Sequence, residues 1–240
     1  MTTYILVHGA WHGGWCWKRV VPLLQAKGHT VFAPTLTGLA DRSHLLTRDT
    51  GLYTHIEDIV NLLRWEELHD VVLVGHSYGG MVISGVAERE HARIRSLVYL
   101  DAMLPADGQS AMDIMAPARR ELVVESARKT GEGWKVTPIT AEQFCMKDPV
   151  DAAWVNRQCT MHPLKALQEP VRLSGNHLRV SDLHYILAGD YRPSQFAAIH
   201  ERLRADPAWR THSVPSGHDM MVERPHELAA ILLGTADRPE

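Results

Sequence analysis

The chain has 240 residues, 45% of them hydrophobic and 22% charged, with three cysteines. That composition excludes a disordered tail, a collagen-like repeat and a disulfide-built scaffold, and the length suits one large domain or two small ones, enough to bury a sizeable core without staples. Lys and Arg number 25 against 28 Asp and Glu, a net charge of −3 with no basic cluster, which argues against nucleic acid and anionic membranes as partners.

The first apolar run, residues 4–7, is too short for a signal peptide and lacks its basic flank. No apolar stretch approaches the ~18 residues of a membrane span. Cys16, Cys145 and Cys159 are odd in number and have no metal-type spacing. The expectation is a soluble cytoplasmic protein with reduced thiols, a Cys145–Cys159 bridge being the weaker alternative. The fifteen histidines are scattered along the chain, and most are expected to be solvated.

In chain order, the strand candidates are 4–7, 30–33, 71–74, 97–100, 183–187 and 211–214, each near-continuously apolar or β-branched, as in strands buried on both faces. Helical patterns fill the gaps at 17–26, 54–67, 80–91, 194–204 and 225–233. In the second of these, Ile56, Ile59, Val60 and Leu63 recur at helical spacing as one buried stripe. The alternation predicts an α/β fold, a mostly parallel sheet of about six strands flanked by helices. It breaks after Leu100, where about 80 residues precede the next strand candidate. Helical patterns at 111–129, 141–146 and 149–158 make this stretch a predicted helical cap, with residues 104–180 inserted into a core of 1–103 and 181–240. The tail 235–240 is expected to fray.

Gly75-His76-Ser77-Tyr78-Gly79 fits G-x-S-x-G between a strand candidate and a helical pattern. That is the setting of a nucleophile elbow, a sharp turn that exposes the serine hydroxyl. A serine needs a base oriented by an acid, and the expected chain order is serine, acid, histidine. His218, in Ser216-Gly217-His218-Asp219 after the last strand candidate, is the predicted base. The acid is Asp190, just past the strand at 183–187, with Asp101 at the end of the strand at 97–100 as its competitor. Asp219 is read as structural, because it points the wrong way to orient its neighbour. An oxyanion needs two preorganised N–H donors. These are assigned to Tyr78, directly after the serine, and to Ala10 in the glycine-rich loop His8-Gly9-Ala10-Trp11-His12-Gly13-Gly14. Phosphate-binding patterns are absent, so nucleotide binding is rejected.

Together these residues resemble the α/β-hydrolase superfamily and, within it, the plant methyl esterase and hydroxynitrile lyase group. The likeness is close over residues 8–17 and over Gly75-His76-Ser77-Tyr78-Gly79-Gly80, and loose around Asp190 and in the cap. The Asp190-to-His218 interval also matches the group's acid-to-base spacing. The resemblance implies the α/β-hydrolase fold and either ester hydrolysis or C–C cleavage. Lyases of the group typically carry a threonine at the position of Gly9 and a lysine at that of Asp219. An anionic Asp219 would repel cyanide, which favours the esterase.

The expected activity is serine carboxylester hydrolysis through an acyl-enzyme, on a small apolar or aromatic ester held by Gly9, Trp11, His12, Met103, Met112 and Met115. For His12, a hydrogen bond that shapes the loop is the other reading. No metal or organic cofactor is required. The alternatives are hydroxynitrile lyase-type cleavage with the same triad, action on another acyl bond such as an amide or lactone, and a non-catalytic small-molecule-binding member of the fold. A homodimer is compatible with the sequence.

Overall fold

In the computed structural model, residues 1–191 and 195–235 are described. The strands, in chain order, are β1 (Thr3–Val7), β2 (Thr30–Phe32), β3 (Val71–His76), β4 (Ile94–Leu100), β5 (Lys135–Val136), β6 (His162–Pro163), β7 (Asp182–Ala188) and β8 (Trp209–Val214). Six form one sheet in the order β2-β1-β3-β4-β7-β8, and every pairing in it is parallel. The expected strands are therefore all present, each within three residues of its predicted ends.

Alternation along the strands splits the apolar side chains between two cores, one on each face of the sheet. Ile5 and Val7 of β1, Val71 and Leu73 of β3, and Leu97 and Tyr99 of β4 point to one side. Tyr4, Leu6, Val72, Val74, Val98 and Leu100 point to the other. Helices then close both faces. Leu52–Trp65 buries Ile56, Ile59, Val60 and Leu63 along the predicted stripe, together with Leu52 and His55. At ~1.5–3 kcal/mol for each large aliphatic side chain fully buried, this one face anchors the helix far more strongly than its intrinsic propensity. On the opposite core, the helix Pro225–Gly234 is tied to β1 by the Tyr4 hydroxyl, which donates to the Leu232 carbonyl at 2.8 Å.

Between β4 and β7 lie the helices Ala111–Ile114, Pro117–Thr130, Pro149–Gln158 and Leu164–Gln168, a 3-10 turn at Ala141–Phe144, and the antiparallel ribbon β5–β6. The ribbon was not anticipated, because two residues per strand are too few to show a period. The helix predicted at 194–204 is described over Gln195–Arg204, and Ser194 lies outside the described residues, as do residues 236–240 of the predicted tail. All three cysteines are free thiols. Among the described residues no helix is long and apolar enough to cross a membrane.

Nine of the fifteen histidines are buried, against the expectation that most are solvated. The register of the sheet shows where they gather. Val7 pairs with Gly75, His76 with Leu100, and Leu100 with Ile186, so β1, β3, β4 and β7 end along one edge. The segments that leave this edge carry His8, His12, His76 and Ser77.

Candidate active site

Three segments leaving that edge hold a non-glycine residue in the left-handed region: Trp11 after β1 (φ 65°), Ser77 after β3 (φ 55°) and Asp101 after β4 (φ 42°). Such conformations are unfavourable for side chains of this kind and persist only where the surroundings fix them. Around Ser77 the fixing is explicit. Its N–H donates to the Leu100 carbonyl (3.2 Å), and its own carbonyl accepts from Gly80 and Met103 (both 3.0 Å). A Cβ on Gly80 would lie 2.0 Å from the Met103 carbonyl oxygen, so only glycine lets the helix Gly79–Glu90 start against this turn.

Ser77 and His218 line one cavity of about 200 Å³. His218 Nδ1–H donates to Asp101 Oδ2 at 2.6 Å, and Asp101 Oδ1 accepts the Ala188 N–H at 3.2 Å. Asp101 is fully buried. The carboxylate against His218 is therefore Asp101, the competitor, and the expectation of Asp190 in that place is corrected. The reason lies in the backbone. Gly189 and Asp190 donate their N–H groups to Val214 and Ser216 across the strand ends. The Asp190 side chain is 35% exposed and pairs with Lys147 Nζ at 2.7 Å. The next residue, Tyr191, is the one that faces the histidine.

His218 sits among aromatic rings: Tyr191 at 4.6 Å, Phe144 at 5.4 Å and Phe196 at 5.5 Å between centroids, all stacked. Burial in this setting lowers its pKa to about 4, with the Asp219 charge pulling the other way. Burial pushes the Asp101 carboxyl up, and the hydrogen bond from Ala188 opposes that shift. With both oxygens accepting N–H groups, the geometry is that of an acceptor-only carboxylate.

Ala10 and Tyr78 also line the cavity, and neither backbone N–H has an acceptor among the described residues. The Tyr78 side chain turns away from the cavity. Its hydroxyl donates to His55 Nδ1 (2.9 Å), and His55 Nε2–H donates to the Thr37 carbonyl (3.0 Å). The Gly9–Ala10 peptide is held from behind, since the Gly9 carbonyl accepts from His8 Nδ1 at 2.8 Å. In a trans peptide the N–H points opposite to the carbonyl, so this bond turns the Ala10 N–H away from His8.

Of the predicted pocket residues, Trp11, Met103 and Met115 line the cavity, while Gly9, His12 and Met112 do not. Gly9 lies beneath the serine, where a Cβ would come within 2.9 Å of Ser77 Cβ. Met112 is core. His12 is fully enclosed, with Nδ1 on the Ala10 carbonyl (2.8 Å) and Nε2 on Asp219 Oδ2 (3.2 Å), and its ring stacked on Trp15 (5.1 Å). Of the two readings of His12, the structure thus has the hydrogen bond that shapes the loop. Asp219, read as structural, carries a buried charge partnered by His12. With that charge paired to His12, Asp219 no longer stands as a bare anion that would repel cyanide.

Sequence reasoning missed Phe144, Leu167, Tyr191, Phe196, Arg119 and Gln195 on the cavity wall. Only Tyr191 and Phe144 left a trace, as isolated aromatics beside residues already singled out. Apolar and polar side chains share the wall, and no cluster of metal-ligating side chains occurs among the described residues.

A model of the alpha/beta hydrolase family matches residues 4–231. The chain is 42% identical over 237 residues to a carbendazim hydrolyzing esterase of Nocardioides sp. (strain SG-4G), covering 95% of this chain and 97% of that protein. It is 36% identical to salicylic acid-binding protein 2 of Nicotiana tabacum over 103 residues, 42% of this chain and 40% of that one. Among solved structures it resembles an extracellular alpha/beta-hydrolase from a Paenibacillus species, with a TM-score of 0.81 at 21% identity over 98% of this chain and 99% of that one, a likeness of fold. The chain belongs to the alpha/beta hydrolase family and is an esterase-type hydrolase.

Proposed function

We propose that the protein is a serine carboxylesterase. The observation that carries this is the shared cavity: Ser77, held at φ 55° on the strand-to-helix turn, and His218, hydrogen-bonded to buried Asp101, open onto the same small space. In this reading Ser77 Oγ attacks the ester carbonyl and its proton passes to His218 Nε2. Asp101 accepts the Nδ1–H throughout, which fixes the tautomer and stabilises the imidazolium as it forms. The N–H groups of Ala10 and Tyr78 take the oxyanion. His218 returns the proton to the departing alcohol, and water then cleaves the acyl-enzyme with His218 again as base.

The substrate class is a small apolar or aromatic ester. A volume of about 200 Å³ walled by Trp11, Met103, Met115, Phe144, Tyr191 and Phe196 suits one compact group. A second cavity of about 360 Å³ shares Trp11 and Arg119 with it and is the place for the remainder of the ester. Residues 104–180 act as the helical cap in this reading, contributing Met115, Arg119, Phe144 and Leu167 to the inner wall.

The test is turnover of aryl esters of graded acyl length by the wild type and Ser77→Ala, with intact-mass detection of the acyl-enzyme. Loss of turnover in a folded Ser77→Ala, with a covalent acyl adduct on the wild type alone, is the expected result. Wild-type turnover by Ser77→Ala would overturn the assignment, as would mandelonitrile cleavage without ester turnover.

A further inference from the structure

The His12–Asp219 pair is fully enclosed, yet it lies outside the cavity and touches no group assigned above to the reaction except through the backbone. Its chemistry follows from its partners. Nδ1 of His12 faces a carbonyl oxygen at 2.8 Å and Nε2 faces a carboxylate oxygen at 3.2 Å. Neither a carbonyl nor an ionised carboxylate can donate, so both ring nitrogens carry hydrogen and the ring is an imidazolium. Burial alone would discharge both groups. The mutual charge outweighs it, raising His12 above the ordinary histidine range and holding Asp219 at about 2.

The pair sits where three segments meet. His12 belongs to the loop after β1 and grips the Ala10 carbonyl, one peptide beyond the Gly9 carbonyl gripped by His8. Asp219 directly follows His218. His76, directly before Ser77, donates from Nε2 to the His218 carbonyl (3.1 Å) and stands 3.9 Å from Asp219 Oδ1. The loop carrying the Ala10 N–H, the turn carrying the serine and the loop carrying the base are thus tied through one buried ion pair and the ring beside it.

We propose that His12 and Asp219 are positioning residues, whose ion pair holds the Ala10 peptide and the His218 loop in the relative placement that oxyanion stabilisation requires. The proposal rests on the serine esterase reading above. Its logic is geometric, because a donor misplaced by a fraction of an ångström loses much of its effect on the developing charge.

A buried ion pair is weak evidence of stability, and removing one partner leaves an uncompensated charge that can unfold the protein. Replacing both partners by apolar groups of similar volume avoids that, so His12→Phe/Asp219→Leu is the informative variant, with Phe keeping a ring on Trp15. Asp219→Asn is its conservative companion. There a neutral His12 can still donate from Nδ1 to Ala10 while Nε2 accepts the Asn N–H.

The experiment measures kcat, KM, thermal midpoint and inhibition by phenylboronic acid, a tetrahedral adduct former, in wild type, both variants and Ser77→Ala. The double variant is expected to fold with a cooperative melt, to lose about 10- to 100-fold in kcat with KM within about twofold, and to lose affinity for the boronic acid in parallel. Asp219→Asn should recover most of that loss. A folded double variant with wild-type kcat would overturn the proposal, and so would a rise in KM at unchanged kcat or an Asp219→Asn as slow as the double variant. Activity surviving in Ser77→Ala would instead strike the serine reading, so the two failures are distinguishable.

Discussion

The buried histidines make the fold acid-sensitive by an amount that can be worked out. His8, His55, His76 and His162 are each fully enclosed and lie outside the pair of His218 and Asp101. Burial lowers His8 to about 3 and His55 to about 4. It also takes His76 and His162 well below the ordinary value, with the charge of His218 assisting at His76 and those of His55 and His8 at His162. In the unfolded chain each titrates near 6.5, so below that pH the unfolded state binds protons that the folded state refuses. Stability is therefore fully present above about pH 6.5 and lost as the pH falls through and below it.

Between about pH 7.5 and about pH 5.5 each of the four removes about 1.4 kcal/mol, together about 6. His12 acts oppositely. Its folded pKa is raised, so its contribution grows as pH falls towards 6.5, which offsets at most one of the four and leaves a net loss of about 4 kcal/mol. Against a usual total of about 5–15 kcal/mol this is a large fraction. Urea unfolding followed by tryptophan fluorescence at a series of pH values measures it. His162→Phe is the internal control. Among the described residues its Nε2 has no hydrogen-bond partner and its Nδ1 accepts a single 3.4 Å bond from Trp11, so removing the ring should flatten the slope by about 1.4 kcal/mol per pH unit below pH 6. Equal stability at the two ends of the range, or a wild-type slope in His162→Phe, would refute the reasoning.

Three further outcomes are expected. Asp101→Asn should lower kcat by about 10⁴-fold by upsetting the His218 tautomer, whereas Asp190→Asn, which weakens the half-exposed pair with Lys147, should stay within about threefold; steady-state kinetics on both, with the reverse order refuting the geometry, decides it. The acid limb of kcat/KM should fall near the lowered His218 value of about 4, since protonation removes the base only there, and a limb at the ordinary histidine value would contradict it. Rapid pH-jump assays keep that limb separate from unfolding. Gly80→Ala should destabilise by about 1–3 kcal/mol in urea, because the neighbour its Cβ meets at 2.0 Å is backbone and has no rotamer to escape into, so unchanged stability would show the contact is softer than described.

The sheet was legible because strands buried on both faces must be apolar throughout, and β1, β3 and β4 have no other way to read. Ser77 was legible because its turn demands glycines at fixed offsets, and His218 because it follows the last strand. The partner of His218 was not. Asp190 and Asp101 both stand at strand ends, and the chain records neither the left-handed turn that carries Asp101 inward nor the strand-end hydrogen bonds that leave Asp190 with Lys147. Histidine burial escaped notice for a related reason. Each ring is satisfied or enclosed by residues far away in sequence, such as His12 by Asp219 and His162 by Trp11. The cavity wall was half read, since its methionines cluster in sequence while Phe144, Tyr191 and Phe196 arrive singly from three separate segments.

With the carboxylate taken from β4, serine and acid hang from neighbouring strands joined by the hydrogen bonds of β3 and β4, and Tyr185 braces the same corner by donating to the Ala102 carbonyl at 2.8 Å. The stretch after β7 is thereby released from holding the base. Tyr191, Gln195 and Phe196 face the cavity from that stretch. They form a replaceable wall, and directed evolution aimed at new ester substrates can vary it without touching the strands that seat Ser77 and Asp101, while changes at Tyr191 or Phe196, which stack on His218, also alter the surroundings of that ring.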